Sequence, residues 1–265
     1  MDLIHKHMNR RFFLTLLATA LTWMEGTTTQ AAPKDTRCFE MRIYYAPPGR
    51  LDDLHARFRN HTLKIFEKHG IENVGYWVPL DNKDNKLVYL LAYPNRAARD
   101  ASWKAFFADP EWKEVAAKTE ANGRIVAKVE QIFLEATDYS PAIKSGDLSH
   151  GGVFEMRTYT TPQGLLPNLD SRFRDHTLAL FSKHGIGNQG YFHKASDQPE
   201  ADRTLLYFLT HKSQDAAKES FKSFGQDPAW KTAREDSEKK AGGSLTVQGG
   251  VKSEFLKPTD YSPAK

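Results

Sequence analysis

Phe39-Glu40-Met41-Arg42-Ile43-Tyr44 returns as Phe154-Glu155-Met156-Arg157-Thr158-Tyr159, an offset of 154 − 39 = 115 positions. The same offset carries Arg57-Phe58-Arg59-Asn60-His61-Thr62-Leu63 onto Arg172-Phe173-Arg174-Asp175-His176-Thr177-Leu178, and Lys68-His69-Gly70-Ile71 onto Lys183-His184-Gly185-Ile186. Further along it slips, so that Asp109-Pro110-Glu111-Trp112-Lys113 meets Asp227-Pro228-Ala229-Trp230-Lys231. Both copies close on Thr-Asp-Tyr-Ser-Pro-Ala, at Thr137 to Ala142 and Thr259 to Ala264. Two similar units in one chain can form the internal counterpart of a homodimer, with pseudo-two-fold symmetry and a shared interface.

Within one copy, Cys38 to Tyr45 alternates: Phe39, Met41 and Ile43 on one face, Glu40, Arg42 and Tyr44 on the other, which is a strand. Pro47-Pro48-Gly49 ends it. From Leu51 to His69 the spacing of Leu54, Phe58, His61, Ile65 and Phe66 is helical, and Gly70 stands where a left-handed cap belongs. Gly75 to Val78 and Leu87 to Tyr93, separated by the polar turn 81–85, read as a hairpin. Ala97 to Phe107 is helical, and Asp109 can cap a further turn beginning at Pro110. Ile125 to Leu134 reads as the last strand.

The order β-α-β-β-α-β predicts an α+β fold, two tandem ferredoxin-like units, each an antiparallel sheet with helices on one face. The other face, where Tyr76, Trp77, Tyr89 and Leu91 are expected, would leave a large apolar area bare. The second copy supplies the cover. The units are therefore expected to pack sheet to sheet as an α/β barrel within one chain, with 38–142 and 153–265 as the domains and 143–152 as the linker.

At 265 residues, with 40% hydrophobic and 12% aromatic content, the chain has enough apolar surface for packed cores. The net charge of +4 is spread among interspersed acids and bases rather than gathered on one face, which argues against nucleic acid as a partner. Arg10-Arg11 precede the apolar run Phe12 to Trp23, with Ala31-Ala32 before Pro33, the pattern of a cleaved export signal over 1–32. Arg10-Arg11-Phe12-Phe13-Leu14 resembles a twin-arginine signal, the alternative being an ordinary secretory one. An exported bacterial protein is expected, periplasmic or extracellular, with no stable membrane span once the signal is removed. The single cysteine, Cys38, forms no intrachain disulfide and reads as a small apolar residue entering a strand.

For chemistry, His61 and His176 are the candidate catalytic residues. Each falls on the apolar, sheet-facing stripe of its helix and could act as a base or ligand contact, or equally as a hydrogen-bonded core histidine. His69 and His184 sit at helix C-termini, where a histidine interacts with free carbonyls. Candidate ligand-binding residues are Glu40, Arg42, Tyr44 and Tyr76, repeated as Glu155, Arg157, Tyr159 and Tyr191. The alternative for the acid–base pairs is an ion-pair network across the repeats. His193 and His211 have no counterpart in the first copy, so the two sites are expected to differ. There is no Gly-rich phosphate loop, no nucleophile elbow and no metal-ligand spacing common to both copies, so no metal and no cofactor are expected.

The strand motif Phe-Glu-Met-Arg-x-Tyr, the helix motif Arg-Phe-Arg-x-His-Thr-Leu, Lys-His-Gly-Ile and Asp-Pro-x-Trp together resemble the NIPSNAP family over 39–142 and 153–264. The resemblance implies a dimeric α/β-barrel fold but no generally established reaction. Related barrels include cofactor-free monooxygenases, lactone isomerases and haem-handling enzymes, and fold alone does not choose among them. Two functions compete: a small-molecule site between helix and sheet of each repeat, and a non-enzymatic partner-binding or stress-associated module. Haem held by His61 or His176 is a weaker alternative. Homo-oligomerisation is compatible with all three.

Overall fold

The computed structural model describes residues 34–141 and 152–264. The expected export signal, 1–32, and the linker 143–152 up to its last residue lie outside the described residues. In the first repeat β1 spans Cys38–Tyr45, and a long helix follows in three parts: α1, Leu51–Arg57, a five-residue π-helical turn, Phe58–Thr62, and α2, Leu63–Lys68. Gly70 then takes φ 73°, a left-handed conformation that an L side chain rarely adopts. β2 (Glu72–Pro79), β3 (Lys86–Tyr93), α3 (Arg96–Ala108), α4 (Pro110–Thr119) and β4 (Lys128–Ala136) complete the repeat. The Asn95 side chain accepts from the Ala98 amide at 2.9 Å to start α3, and Asp109 ends α3 and caps α4, whose first residue is Pro110. The last strand begins three residues later than expected, and Ile125 is buried in the loop before it.

The second repeat runs β5 (Val153–Thr160), α5 (Leu166–Arg172), a π-helical turn (Phe173–Thr177), α6 (Leu178–Lys183), β6 (Gly187–Lys194), β7 (Thr204–His211), α7 (Gln214–Gln226), α8 (Pro228–Ala241) and β8 (Val251–Pro258). The eight strands form one closed antiparallel barrel in the order β1-β3-β2-β8-β5-β7-β6-β4. Two short seams join the repeats: Trp77 to Pro79 on β2 pairs with Pro258 to Leu256 on β8, and Leu134 to Ala136 on β4 pairs with Lys194 to Phe192 on β6. Closure removes the sheet edges.

Phe39, Met41 and Ile43 point into the barrel, where Phe39 meets Phe192 edge-on at 5.2 Å and Trp77 stacks on Phe208 at 5.4 Å, both across the repeats. One expectation about this interior needs correction. Only Trp77 of the four residues assigned to the bare face lies inside; Tyr76, Tyr89 and Leu91 belong to the core between sheet and helices. Strand parity requires it, since neighbours Tyr76 and Trp77 must point to opposite faces. Tyr89, opposite Tyr76 in register, stacks on it at 5.3 Å.

The π-helical turns correct the expectation for His61 and His176. Both are exposed, and neither lies on the sheet-facing stripe. A turn of five residues inserts one extra position, so the helix resumes out of phase with a 3.6-residue repeat. Thr62 and Thr177 take the buried places instead, donating from Oγ1 to the Arg57 carbonyl at 3.2 Å and the Arg172 carbonyl at 3.0 Å. Thr62→Val, which keeps the shape and removes the donor, is expected to lower unfolding stability by about 1 kcal/mol in a denaturant titration.

The repeated Thr-Asp-Tyr-Ser-Pro-Ala segments explain themselves as reciprocal clasps. Asp138 of the first repeat receives Arg174 of the second at 2.7 and 3.0 Å, and Asp260 of the second receives Arg59 of the first at 2.6 and 2.7 Å. Ser140 and Ser262 accept the Tyr191 and Tyr76 amides at 3.0 and 2.9 Å. Each tail thus ends on the other repeat, as swapped elements do between subunits.

Candidate functional site

The polar face of β1, Glu40-x-Arg42-x-Tyr44, turns outward beneath the helices. Glu40 is fully buried there. Its carboxylate accepts from Arg42, from Arg99 at 2.8 and 3.0 Å, from Tyr93 at 3.0 Å and from the Trp103 indole at 3.0 Å. Burial works to raise this carboxyl, but the bonds and charge of Arg99 and Arg42 outweigh it and hold Glu40 below its ordinary value. Arg42 also donates to Tyr89 at 3.1 Å and Gln131 at 3.0 Å, and lies over the Trp103 ring at 4.4 Å. The Glu40 ion pairs therefore form within a repeat, not across the repeats as the alternative reading of these pairs expected.

The second repeat carries the same scaffold with smaller fittings. Register aligns Tyr93 with His211, Arg99 with Ala217, Trp103 with Phe221, and Gln131 with Ser253. Glu155 accepts from Arg157, from Ser253 and from His211 Nε2 at 2.9 Å. Burial pushes its carboxyl up, while His211 and Arg157 pull it to a net value below the ordinary one. His211 is 2% exposed, and its Nδ1 has no partner among the described residues. Arg157 donates to Tyr207 at 3.0 Å and Tyr159 at 3.2 Å.

The second repeat has a cleft of about 280 Å³ between α5, α7, α8 and the sheet. Arg157 and Tyr159 line it, as do Phe221, Trp230, Arg172 and Arg234. Of the expected ligand-binding residues, Arg157 and Tyr159 thus share a cleft, with Glu155 behind Arg157. Arg42 and Glu40 are locked in the first repeat's network, with Tyr44 at its edge, 3.4 Å from Arg42. Tyr76 and Tyr191 lie fully buried, their hydroxyls donated to Asn73 and Asn188. Sequence reasoning missed Arg172, Arg234, Phe221 and Trp230 as cleft residues. A usable signal was the change of Ala116 to Arg234 one turn beyond the shared Asp-Pro-x-Trp-Lys.

His61 and His176 instead border surface hollows of about 280 and 170 Å³ against α4 and α8. His61→Ala and His176→Ala should each leave unfolding free energy within about 0.5 kcal/mol of the parent, as exposed substitutions do. His69 and His184 reach further than their own helix ends: Nε2 meets the capping carboxylate of Asp109 at 2.6 Å and of Asp227 at 2.8 Å. His193 Nε2 and the Tyr139 hydroxyl converge on Asp170 Oδ1 at 2.9 and 2.7 Å, at the seam between repeats. No group of three or more potential metal ligands occurs among the described residues, and no helix among them is long and apolar enough to cross a membrane.

The NIPSNAP family model matches residues 39–141 and 154–263. The chain belongs to the NIPSNAP family. No curated protein matches its sequence. A solved NIPSNAP-like domain protein from Burkholderia xenovorans is 21% identical over 41% of this chain and 92% of its own, with a TM-score of 0.37. A putative monooxygenase from Fusobacterium nucleatum is 10% identical over 84% of this chain and 92% of its own, with a TM-score of 0.53. An anthrone oxidase-like protein is 13% identical over 87% and 95%, also at 0.53. At these identities the likeness to the last two is one of fold: two NIPSNAP repeats make, in one chain, an α/β barrel like theirs.

Proposed function

We propose that this NIPSNAP protein, acting after export, binds a small organic molecule in the cleft between helices and sheet of its second repeat. The cleft carries this reading: it has an aromatic wall, a few convergent polar groups and the location between layers at which ligand sites form. Support for export is the Arg10-Arg11-Phe12-Phe13-Leu14 stretch and the apolar run after it. An equivalent site is not assigned to the first repeat, where Trp103 stands in place of Phe221 and is bonded, with Arg99, to Glu40. The test is an NMR titration with small aromatic compounds. Shifts centred on Phe173, Phe221 and Trp230 are expected; shifts confined to the first repeat, or none, would remove the reading.

A further inference from the structure

Arg172 is under-compensated for its position. It is 6% exposed, its Nε has no partner among the described residues, and its nearest carboxylate oxygen, on Glu238, lies 3.7 Å from Nη1. Its counterpart Arg57 shares the unpartnered Nε but donates from Nη1 to Glu120 at 2.9 Å. Burying a cation this sparsely paired is unfavourable. Accordingly, burial lowers the Arg172 pKa despite the attraction of Glu238.

Two more guanidiniums face the same space. Arg157 forms its floor, with its charge taken up by Glu155, and Arg234 stands at the mouth, 3.3 Å from Glu238. In the first repeat Arg99 closes on Glu40, and Ala116 stands at the position where α8 carries Arg234. Three cations against Glu155 and Glu238 leave 3 − 2 = 1 positive charge over. Around them, Phe173, Phe181, Phe221, Phe224 and Trp230 are all aromatic.

We propose that the second-repeat cleft takes a small organic carboxylate, its apolar body against Phe221 and Trp230 and its carboxylate on Arg172 and Arg234. The inference rests on the cleft reading above and names its ligand class. A guanidinium matches the planar, two-oxygen carboxylate with parallel hydrogen bonds. A bound carboxylate supplies the charge that Glu238 leaves wanting, and the volume admits on the order of ten non-hydrogen atoms.

The test uses matched probe pairs, benzoate with benzamide, cinnamate with cinnamamide, and 1-naphthoate with 1-naphthamide, titrated calorimetrically into the full chain at low and high salt. At least one carboxylate is expected to bind at least tenfold more tightly than its amide, with a preference that shrinks as salt rises. Arg172→Gln and the exposed, structurally tolerant Arg234→Gln should each reduce that preference severalfold, whereas Arg57→Gln in the first repeat should leave it unchanged. Amides binding as tightly as carboxylates would overturn the carboxylate inference and leave the cleft standing. A preference that survives both second-repeat variants would overturn it too, because the anion would then be held elsewhere. No binding by any member of the pairs would sink the cleft reading along with it.

Discussion

Glu40→Ala should destabilise the protein by about 3–5 kcal/mol, the range for breaking a buried ion pair by removing one partner. Two guanidiniums, Arg42 and Arg99, converge on this single fully buried carboxylate, together with the Tyr93 hydroxyl and the Trp103 indole. Removing it strands two cations at low exposure, so the loss comes from what is left behind rather than from the contact itself. The double variant Glu40→Ala/Arg99→Ala should therefore be less destabilised than the sum of the two single changes. Equilibrium denaturation at pH 7 measures all three; a Glu40→Ala loss under about 1 kcal/mol would show that the network does not hold the fold. The pH dependence carries a definite sign. The Glu40 carboxyl lies below its ordinary 4.5 in the folded state, so its contribution is complete above that value and fades as pH falls through the lower folded value. Glu155 is held down in the same direction by His211 and Arg157, and adds to the same acid limb. Glu40→Gln should therefore flatten the stability-against-pH curve below about pH 4.5 relative to the parent.

How much of this was legible before any coordinates depends on which physical rule governed each residue. The 115-residue offset and strict strand alternation are properties of the chain itself, so the duplicated β-α-β-β-α-β order and the need for mutual cover followed from them. The helix caps Asp109, Gly70 and Asn95 act locally, and two of these three, Asp109 and Gly70, announced their roles by residue type and spacing. His61 did not, because helical periodicity assumes 3.6 residues per turn, and the π-helical turn at Phe58–Thr62 breaks that count without any local signal such as proline. The clasps were visible as a repeated string, but that each string crosses to the other repeat is a fact of three-dimensional closure alone. The difference between the two sites lies between these extremes. His211 stood out as a residue without a twin, yet the smaller side chains at Ala217 and Phe221 mean something only once Arg99 and Trp103 are seen against Glu40.

That comparison makes the second strong prediction an exchange between repeats. Ala217→Arg with Phe221→Trp rebuilds in the second repeat the two side chains that bond Glu40 in the first. Arginine at 217 should reach Glu155 as Arg99 reaches Glu40, and the larger ring should extend over Arg157 as Trp103 does over Arg42 at 4.4 Å. Affinity for any probe held in the cleft should fall by at least about 100-fold, or roughly 2.7 kcal/mol, because the larger ring at 221 occupies the ligand's volume and the new guanidinium at 217 competes with Arg157 for Glu155. Stability should be preserved, since cavity filling with a compensated charge is the change that stabilises rather than strains a core. Calorimetric titration gives the first quantity and denaturation the second. Unaltered binding in a variant whose crystal structure shows the cleft filled would place the ligand outside it. The reverse exchange, Arg99→Ala with Trp103→Phe, should open a cleft in the first repeat at the expense of stability, because Glu40 there would keep Arg42 as its only cation while the vacated space adds a cavity penalty of about 24 cal/mol per Å³. Opposite signs from one pair of side chains moved in opposite directions would show that the two repeats differ in function through what fills this layer and not through the barrel they share.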